Sequence, residues 1–338
     1  MHEKFFLGKN ILVTGGTGSF GQAFTKVILR NYKPKRLIIF SRGEAKQLEM
    51  ASKFSQNRYK CLRYFIGDVR DLERLKIAMR NVDYVVHAAA MKQVPASEYN
   101  PIECIKTNIT GAQNIIISSI ENRVKKVLAL STDKAVSPVN LYGATKLVSD
   151  KLFISANNLS GNHGPIFSIV RYGNVYGSTG SVVQIFKKIM GTKKPFPITD
   201  KKMTRFFLTL EDGVNFVIES FSKMIGGEIF IPKIFSIKIT DLAKCLDPHR
   251  SLDIIGLRPG EKIHEVMTSK DDNRSLIEFK NYYNLASSSV YKNLNKFLIN
   301  KNREKGKFVN ENFEFSSEKN KFLNDKEIKK MIKSDMNF

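Results

Sequence analysis

Tyr142 and Lys146 stand four residues apart in a stretch, Ser131 to Lys146, that also holds Thr132, Asp133 and Lys134. A helix beginning near Leu141 would carry the tyrosine and the lysine on one face. An ammonium beside a phenol favours the phenolate and brings the tyrosine closer to being a base at neutral pH. The apolar run Val127 to Leu130 leads into this stretch and reads as a buried parallel strand. Open α/β sheets place ligands at the carboxyl ends of such strands. Tyr-x-x-x-Lys is also what an accidental exposed pair looks like. It gains meaning only if a nucleotide site precedes it.

Such a site does precede it. Lys9 to Thr14 reads as a strand, Gly15-Gly16-Thr17-Gly18-Ser19-Phe20-Gly21 follows at once, and Phe24, Val27 and Ile28 then repeat at helical spacing. Strand, glycine turn and helix together are the context a dinucleotide fingerprint needs. Gly15 allows the tight turn, Gly18 lets the backbone approach a pyrophosphate, and Gly21 lets the helix lie close to the strand. N–H groups at the helix start, around Thr17, Ser19 and Phe20, then face the phosphates.

The end of the second strand, Arg36 to Phe40, selects the cofactor. Ser41, Arg42 and Lys46 follow it, and a guanidinium binds a 2′-phosphate in forked geometry, which favours NADP. The alternative is NAD, with Glu44 on the ribose hydroxyl two residues late. A third strand ends in Gly67-Asp68-Val69, placed to meet the adenine, and Asp71 is placed to cap the helix from Leu72. The fourth strand ends in His87 and three alanines from Ala88, small enough for a nicotinamide-ribose to come close. Lys92 lies just beyond, within reach of ribose or phosphate, and His87 reads as a packed strand residue. A helix is expected from Glu103 to Asn122, then the fifth strand. Five alternations of strand and helix mean a doubly wound, Rossmann-type parallel sheet, an α/β fold.

Composition sets the outer limits. At 338 residues, 42% apolar and 10% aromatic, the chain can bury a sizeable core. No apolar run approaches the roughly 18 residues needed to span a bilayer. Met1 to Leu7 is too brief for a signal peptide. Cys61, Cys104 and Cys245 are far apart, which argues against a disulfide framework or a zinc site and for a reducing cytoplasm. The net charge of +23 invites a nucleic-acid reading. Its spread along the chain suits a Lys/Asn-rich habit or anionic small substrates better, so neither nucleic acid nor membrane is expected as a partner.

These motifs resemble the extended short-chain dehydrogenase/reductase family, whose members act on nucleotide-linked sugars. The resemblance rests on Thr14 to Gly21, Phe65 to Arg70, His87 to Pro95, Ser131 to Ala135, Leu141 to Lys146, Arg171 to Val175, Met203 to Phe206 and Arg258 to Val266. It continues weakly to Phe313–Ser317. Within the family the chain is similar to the branch that oxidises C4 of UDP-N-acetylglucosamine, removes water across C5 and C6 and inverts C5, the opening step of pseudaminic acid synthesis. That branch keeps the tyrosine, which a related subgroup replaces with methionine.

The resemblance implies the residue roles. Tyr142, beside Lys146, takes the proton of the 4-hydroxyl as C4 gives a hydride to NADP, and Thr132 bonds the 4-oxygen. Lys134 removes the C5 proton, and Asp133 protonates the departing 6-hydroxyl. Retaining relatives carry Asp-Glu where this chain has Asp133-Lys134. A basic lysine needs a lowered pKa, which desolvation, Lys146 and the nicotinamide ring would all promote. An ion pair between Asp133 and Lys134 is given little weight, because neighbouring side chains point apart. Asn174, Lys92, Val183, Arg205 and Arg258 are expected to meet the sugar nucleotide, and Val175 to line the nicotinamide.

The expected layout is a nucleotide-binding domain over 1–177 and a smaller, mainly substrate-binding lobe over 178–290. A Lys/Asn-rich tail over 291–338 ends in a short amphipathic helix. The family assembles through its helices, which implies a homo-oligomer. The rivals are a UDP-sugar 4-epimerase, which needs no Asp133-Lys134 pair, a retaining 4,6-dehydratase, and a non-catalytic NADP-sensing scaffold on the same fold.

Overall fold

The structure is a computed structural model that describes residues 5–161, 163–287 and 293–336. Met1–Lys4, Tyr291, Lys292 and the expected boundary between 290 and 291 lie outside them.

Alternating strands and helices open the chain in the expected order. They are β1 (Asn10–Thr14), α1 (Ser19–Asn31), β2 (Arg36–Ser41), α2 (Glu44–Lys53), β3 (Leu62–Ile66), α3 (Leu72–Ala78) and β4 (Tyr84–His87). Then come α4 (Val94–Tyr99), α5 (Pro101–Ile105), α6 (Gly111–Glu121), β5 (Lys126–Thr132), α7 (Leu141–Leu159) and β6 (Ile166–Tyr172). Asp71 caps α3 by accepting from the Arg74 N–H, as its place in the sequence predicts.

Strand order across the sheet is β3-β2-β1-β4-β5-β6, all parallel, and the strand Ile229–Pro232 pairs parallel with β6 beyond it. Side-chain alternation sends Ile11, Val13, Leu37 and Ile39 to the core on one face, and Leu12, Ile38 and Phe40 to the core on the other. Burying each such side chain contributes about 1.5–3 kcal/mol. The chain reverses direction across the sheet between β1 and β4, so their carboxyl ends open the crevice that holds ligands in such folds.

The later segments interleave rather than follow one another. Leu276–Glu278, Tyr282–Leu285 and Lys307–Phe308 add antiparallel strands to the far edge of the main sheet, so part of the expected lobe and of the expected tail belongs to the first layer. The second lobe has its own core around Tyr176, Phe186, Phe196, Phe207 and Leu242. The terminal helix Asp325–Met336 packs into that core through Ile328 and Met331. Its apolar stripe was legible in the sequence, but its partner, the helix Ile239–Leu246, was not.

The single helix expected from Glu103 to Asn122 is three pieces, α5, a π-helical turn over Lys106–Thr110, and α6. The π turn directs Asn108 at the loop after β4. Its Oδ1 accepts from the Met91 N–H at 2.8 Å, while Nδ2 donates to the Met91 carbonyl at 2.9 Å and to Thr145 Oγ1 at 3.0 Å. One side chain thus ties that loop to the tyrosine-bearing helix. π turns often mark functional sites.

Candidate active site

Where β1 meets α1 the glycines do what their spacing predicts. Gly15 has φ +64°, and a Cβ there would fall 2.9 Å from the Ala89 nitrogen. A Cβ on Gly21 would fall 2.3 Å from the Gly16 carbonyl oxygen, so only glycine lets α1 close on the turn. No side chain caps α1 and no acidic residue stands in its first turn, which leaves its N–H groups open to an anion.

The cleft over this turn holds about 840 Å³. Its walls include Gly15, Thr17, Gly18, Ser19 and Phe20, then Ser41, Arg42, Glu44 and Lys46, then Asp68, Val69, Ala88 and Lys92. Thr132, Lys134, Tyr142, Lys146, Asn174 and Val175 complete it. The second lobe reaches over the rim, where Thr179 donates its N–H to Ser19 Oγ at 3.0 Å. These residues fit a nicotinamide dinucleotide, with the glycine cradle for its pyrophosphate and the Ala88 backbone for its flat ring.

At the adenosine end, Asp68 is already engaged. Its Oδ2 lies 2.8 Å from an Arg70 nitrogen and 3.7 Å from Arg42. Burial would raise its pKa, but the Arg70 bonds and the Arg42 charge hold it below the ordinary carboxylate value. Arg42 is exposed, on a side chain 67% open to solvent.

Asn140 caps α7 by accepting from the Gly143 N–H at 2.8 Å, which starts the helix so that Tyr142 and Lys146 face the cleft. Lys146 donates to the Leu130 carbonyl at 2.6 Å, and burial lowers its pKa although nearby Asp150 pulls the other way. Tyr142 departs from expectation. Burial pushes its phenol up to about 12, against the opposing pull of Lys134 and of a hydrogen bond to Thr132. Lys134 is thus a cation that favours the phenolate from outside the helix. His87 is packed as expected, bonded to Thr14 Oγ1 at 2.9 Å and held down to about 3 by burial and then by Lys146.

Two expectations for Lys134 are corrected. It does pair with Asp133, at 3.0 Å, because a 3-10 turn over Asp133–Ala135 replaces the extended geometry that would part the two side chains. Its pKa is not lowered. Burial works in that direction, but Asp133 and Glu265 outweigh it and hold the ammonium above its ordinary value. Glu265 Oε1 lies 3.2 Å from Lys134 Nζ, a contact between residues 131 apart in the chain.

Four further residues stand away from the cleft. Asp133 is fully buried and is bonded to two residues of the cleft wall, Lys134 at 3.0 Å and Thr132, which donates to its Oδ1 at 3.0 Å. Val183 is fully buried in the lobe core, on the inward face of its helix. Arg205 spends its guanidinium on the carbonyls of Thr204, Lys262 and Ile263. Arg258 is exposed and forked onto Glu261 at 2.8 and 3.1 Å.

Three residues beside the site escaped the sequence reading. Asp150 accepts from Ser131 at 2.7 Å and from Arg171 at 3.2 Å, and its spacing of four from Lys146 was a signal. Lys262 and Glu265 carried none beyond their place in the Arg258–Val266 motif.

A glycine cradle, an open helix start and a Tyr-x-x-x-Lys helix on one switch point define a Rossmann-type enzyme of the short-chain dehydrogenase/reductase class that uses a nicotinamide cofactor. Residues 11–287 match the family described as polysaccharide biosynthesis protein, and the chain belongs to that family. It is 59% identical, over 97% of its length and 98% of the relative's, to the UDP-N-acetylglucosamine 4,6-dehydratase (inverting) of Campylobacter jejuni strain 81-176. It is 37% identical, over 97% and 96%, to the UDP-glucose 4-epimerase of Rickettsia massiliae. Among solved structures, Pen from Bacillus thuringiensis covers 99% of both chains at 35% identity, with a TM-score of 0.87. Among the described residues, no helix is long and apolar enough to cross a membrane.

Proposed function

We propose that the protein removes water from UDP-N-acetylglucosamine and inverts C5, giving UDP-2-acetamido-2,6-dideoxy-L-arabino-hex-4-ulose, with NADP as its cofactor. The observation that carries this reading is the Asp133–Lys134 pair, with Lys134 in the same cleft wall as Tyr142. The 59% identical relative bears the name of that activity. A bound nicotinamide nucleotide supplies the chemistry of taking a hydride from the sugar and returning it.

Tyr142 takes the proton of the 4-hydroxyl, while Thr132 orients the 4-oxygen. The resulting ketone acidifies C5, and Lys134 removes that proton. The pair holds one mobile proton, and its passage across the 3.0 Å bond turns the ammonium into an amine and Asp133 into an acid. Asp133 then supplies the 6-hydroxyl with its proton through its neighbours, and water leaves. Asn174 and Lys92 offer an amide and a cation to the sugar diphosphate. Enclosure in the cleft and then repulsion from Lys134 lower the pKa of Lys92, and a bound phosphate would raise it again.

Arg42 and Lys46 support NADP over NAD by offering cations at the end of β2. Arg42→Ala is expected to weaken NADP binding about tenfold, the worth of one charge-assisted contact, and to leave NAD binding unchanged, as read by nucleotide titration. We place the protein in the cytoplasm, as three separated cysteines suggest, and as a homo-oligomer, for which the exposed Tyr99 and Ile102 on neighbouring helices offer an apolar face.

Proton NMR of the purified protein with UDP-N-acetylglucosamine in deuterated water tests the function. A 6-methyl signal, deuterium at C5 and L-arabino couplings are expected. Retained C5 configuration would take inversion from Lys134, and the 4-epimer without a methyl would move the reading to the epimerase.

A further inference from the structure

Glu265 lies where no motif of the reaction requires a carboxylate. It is 2% exposed, and its Oε1 sits 3.2 Å from Lys134 Nζ and 3.8 Å from Arg205 Nε. Its Oε2 is buried and finds no hydrogen-bond partner among the described residues. The backbone around it is fixed from the far end of the chain. The Glu265 N–H donates to Ser317 Oγ at 2.9 Å, and the Ser317 N–H donates to the Glu265 carbonyl at 2.8 Å. Ser317 also bonds Thr204 Oγ1 at 2.7 Å, which gives the weak Phe313–Ser317 motif a use. Arg205 already donates to three carbonyls and needs no carboxylate for its hydrogen bonds. A buried charge is costly unless paired, so a neutral glutamine would serve packing at less cost. What the carboxylate adds is its charge, nearer to Lys134 at 3.2 Å than to Arg205 at 3.8 Å.

We propose that Glu265 is a positioning residue for the proton transfers at C5, fixing where the Lys134 amine stands and how tightly it keeps its proton. This rests on the dehydratase reading and deepens it. Lys134 has two carboxylates against it, Asp133 from its own turn and Glu265 from across the lobe boundary. Arg205, Lys92 and Lys262 are the cations around it, Tyr142 faces it from α7, and Asn174 Oδ1 lies 3.5 Å away. Glu265 fixes the amine from across the lobe boundary, and Asp133 takes the proton when the pair becomes amine and acid. The arrangement also requires a lysine at 134. A glutamate there would stand against Glu265, and like charges at that distance repel.

The test compares the parent with Glu265→Gln and Glu265→Asp, each loaded with NADP. Readouts are deuterium entry at C5 and 6-methyl formation across pH, and melting with and without nucleotide. Removing one of two carboxylates lowers the pKa of Lys134. The rising limb of the Glu265→Gln profile should therefore move down by about one pH unit. Its plateau kcat should fall about tenfold with KM held, as expected when a reacting group is misplaced. Glu265→Asp, which keeps the charge, should keep the parent's limb at reduced rate. In a Lys134→Gln background, Glu265→Gln should change the residual C4 oxidation less than twofold, since both act through one group.

A Glu265→Gln profile that overlays the parent's would overturn the proposal, as would a loss of equal size with and without Lys134. Should Glu265→Gln lose its nucleotide-protected melting transition, the Glu265→Asp profile decides. Parental limb with reduced rate supports the proposal, and parental rate overturns it. A parent that forms no 6-methyl product overturns the dehydratase reading instead, which separates the two failures.

Discussion

Lys134→Ala is expected to stop formation of the 6-methyl product while NADP still raises the melting temperature. Loss of a positioned base costs about 10²–10⁴-fold in rate. Tyr142, Lys146 and Thr132 remain to oxidise C4, so the variant should still build up the near-ultraviolet absorbance of reduced coenzyme, then stall. It should build up more slowly than in the parent, because Lys134 also pulls the Tyr142 pKa down. Two costs therefore arise from one side chain, and stopped-flow absorbance beside NMR separates them. The variant also leaves Asp133 and Glu265 buried without their shared cation, 0% and 2% exposed. Breaking a buried pair costs about 3–5 kcal/mol, and the 24% exposure of the lysine places this case toward the low end. A fall of a few degrees in melting temperature is expected. Normal turnover would remove Lys134 from the mechanism.

Tyr142→Phe should fail one step earlier. It keeps the ring and its packing and removes only the hydroxyl, so folding and nucleotide binding should survive. No reduced coenzyme should appear, and C5 should take up no deuterium, because without a C4 ketone the C5 proton is not acidic. The pH dependence follows from the phenol. A group held at about 12 is almost wholly protonated at neutral pH, and its phenolate fraction grows tenfold per pH unit below that value. Single-turnover C4 oxidation in the parent should therefore climb with pH on the alkaline side until another step limits it. Any residual rate in Tyr142→Phe should be flat. A flat parent profile, with the variant still oxidising C4, would take the base role from Tyr142.

Local chemistry carried far in this chain. Glycine spacing, apolar alternation and the four-residue step from Tyr142 to Lys146 are set by backbone geometry within a few residues. β1, α1, β5 and α7 therefore stand as their sequences suggest, and so does the cleft they frame. Asp71 and Asn140 cap their helices for the same local reason. The expectation for Asp133 and Lys134 failed locally too. Adjacent side chains diverge in a strand, and a 3-10 turn brings them together.

What tertiary structure alone decided is the electrostatics of the site. Burial governs the Tyr142 phenol against the pull of Lys134, and Asp133 and Glu265 together outweigh burial at Lys134. Val183 and Arg205 turned inward because the second lobe needed a core and bonded carbonyls there. The 132nd residue after Asp133 now lies against its neighbour, and no pattern along the chain announces such a contact. Residue types and their spacing along the chain determined the fold class, the nucleotide cradle and the Tyr142–Lys146 pair, since those depend on neighbours in sequence. The proton affinities of the same groups depend on charges and burial summed over neighbours in space, and only the folded chain supplies those.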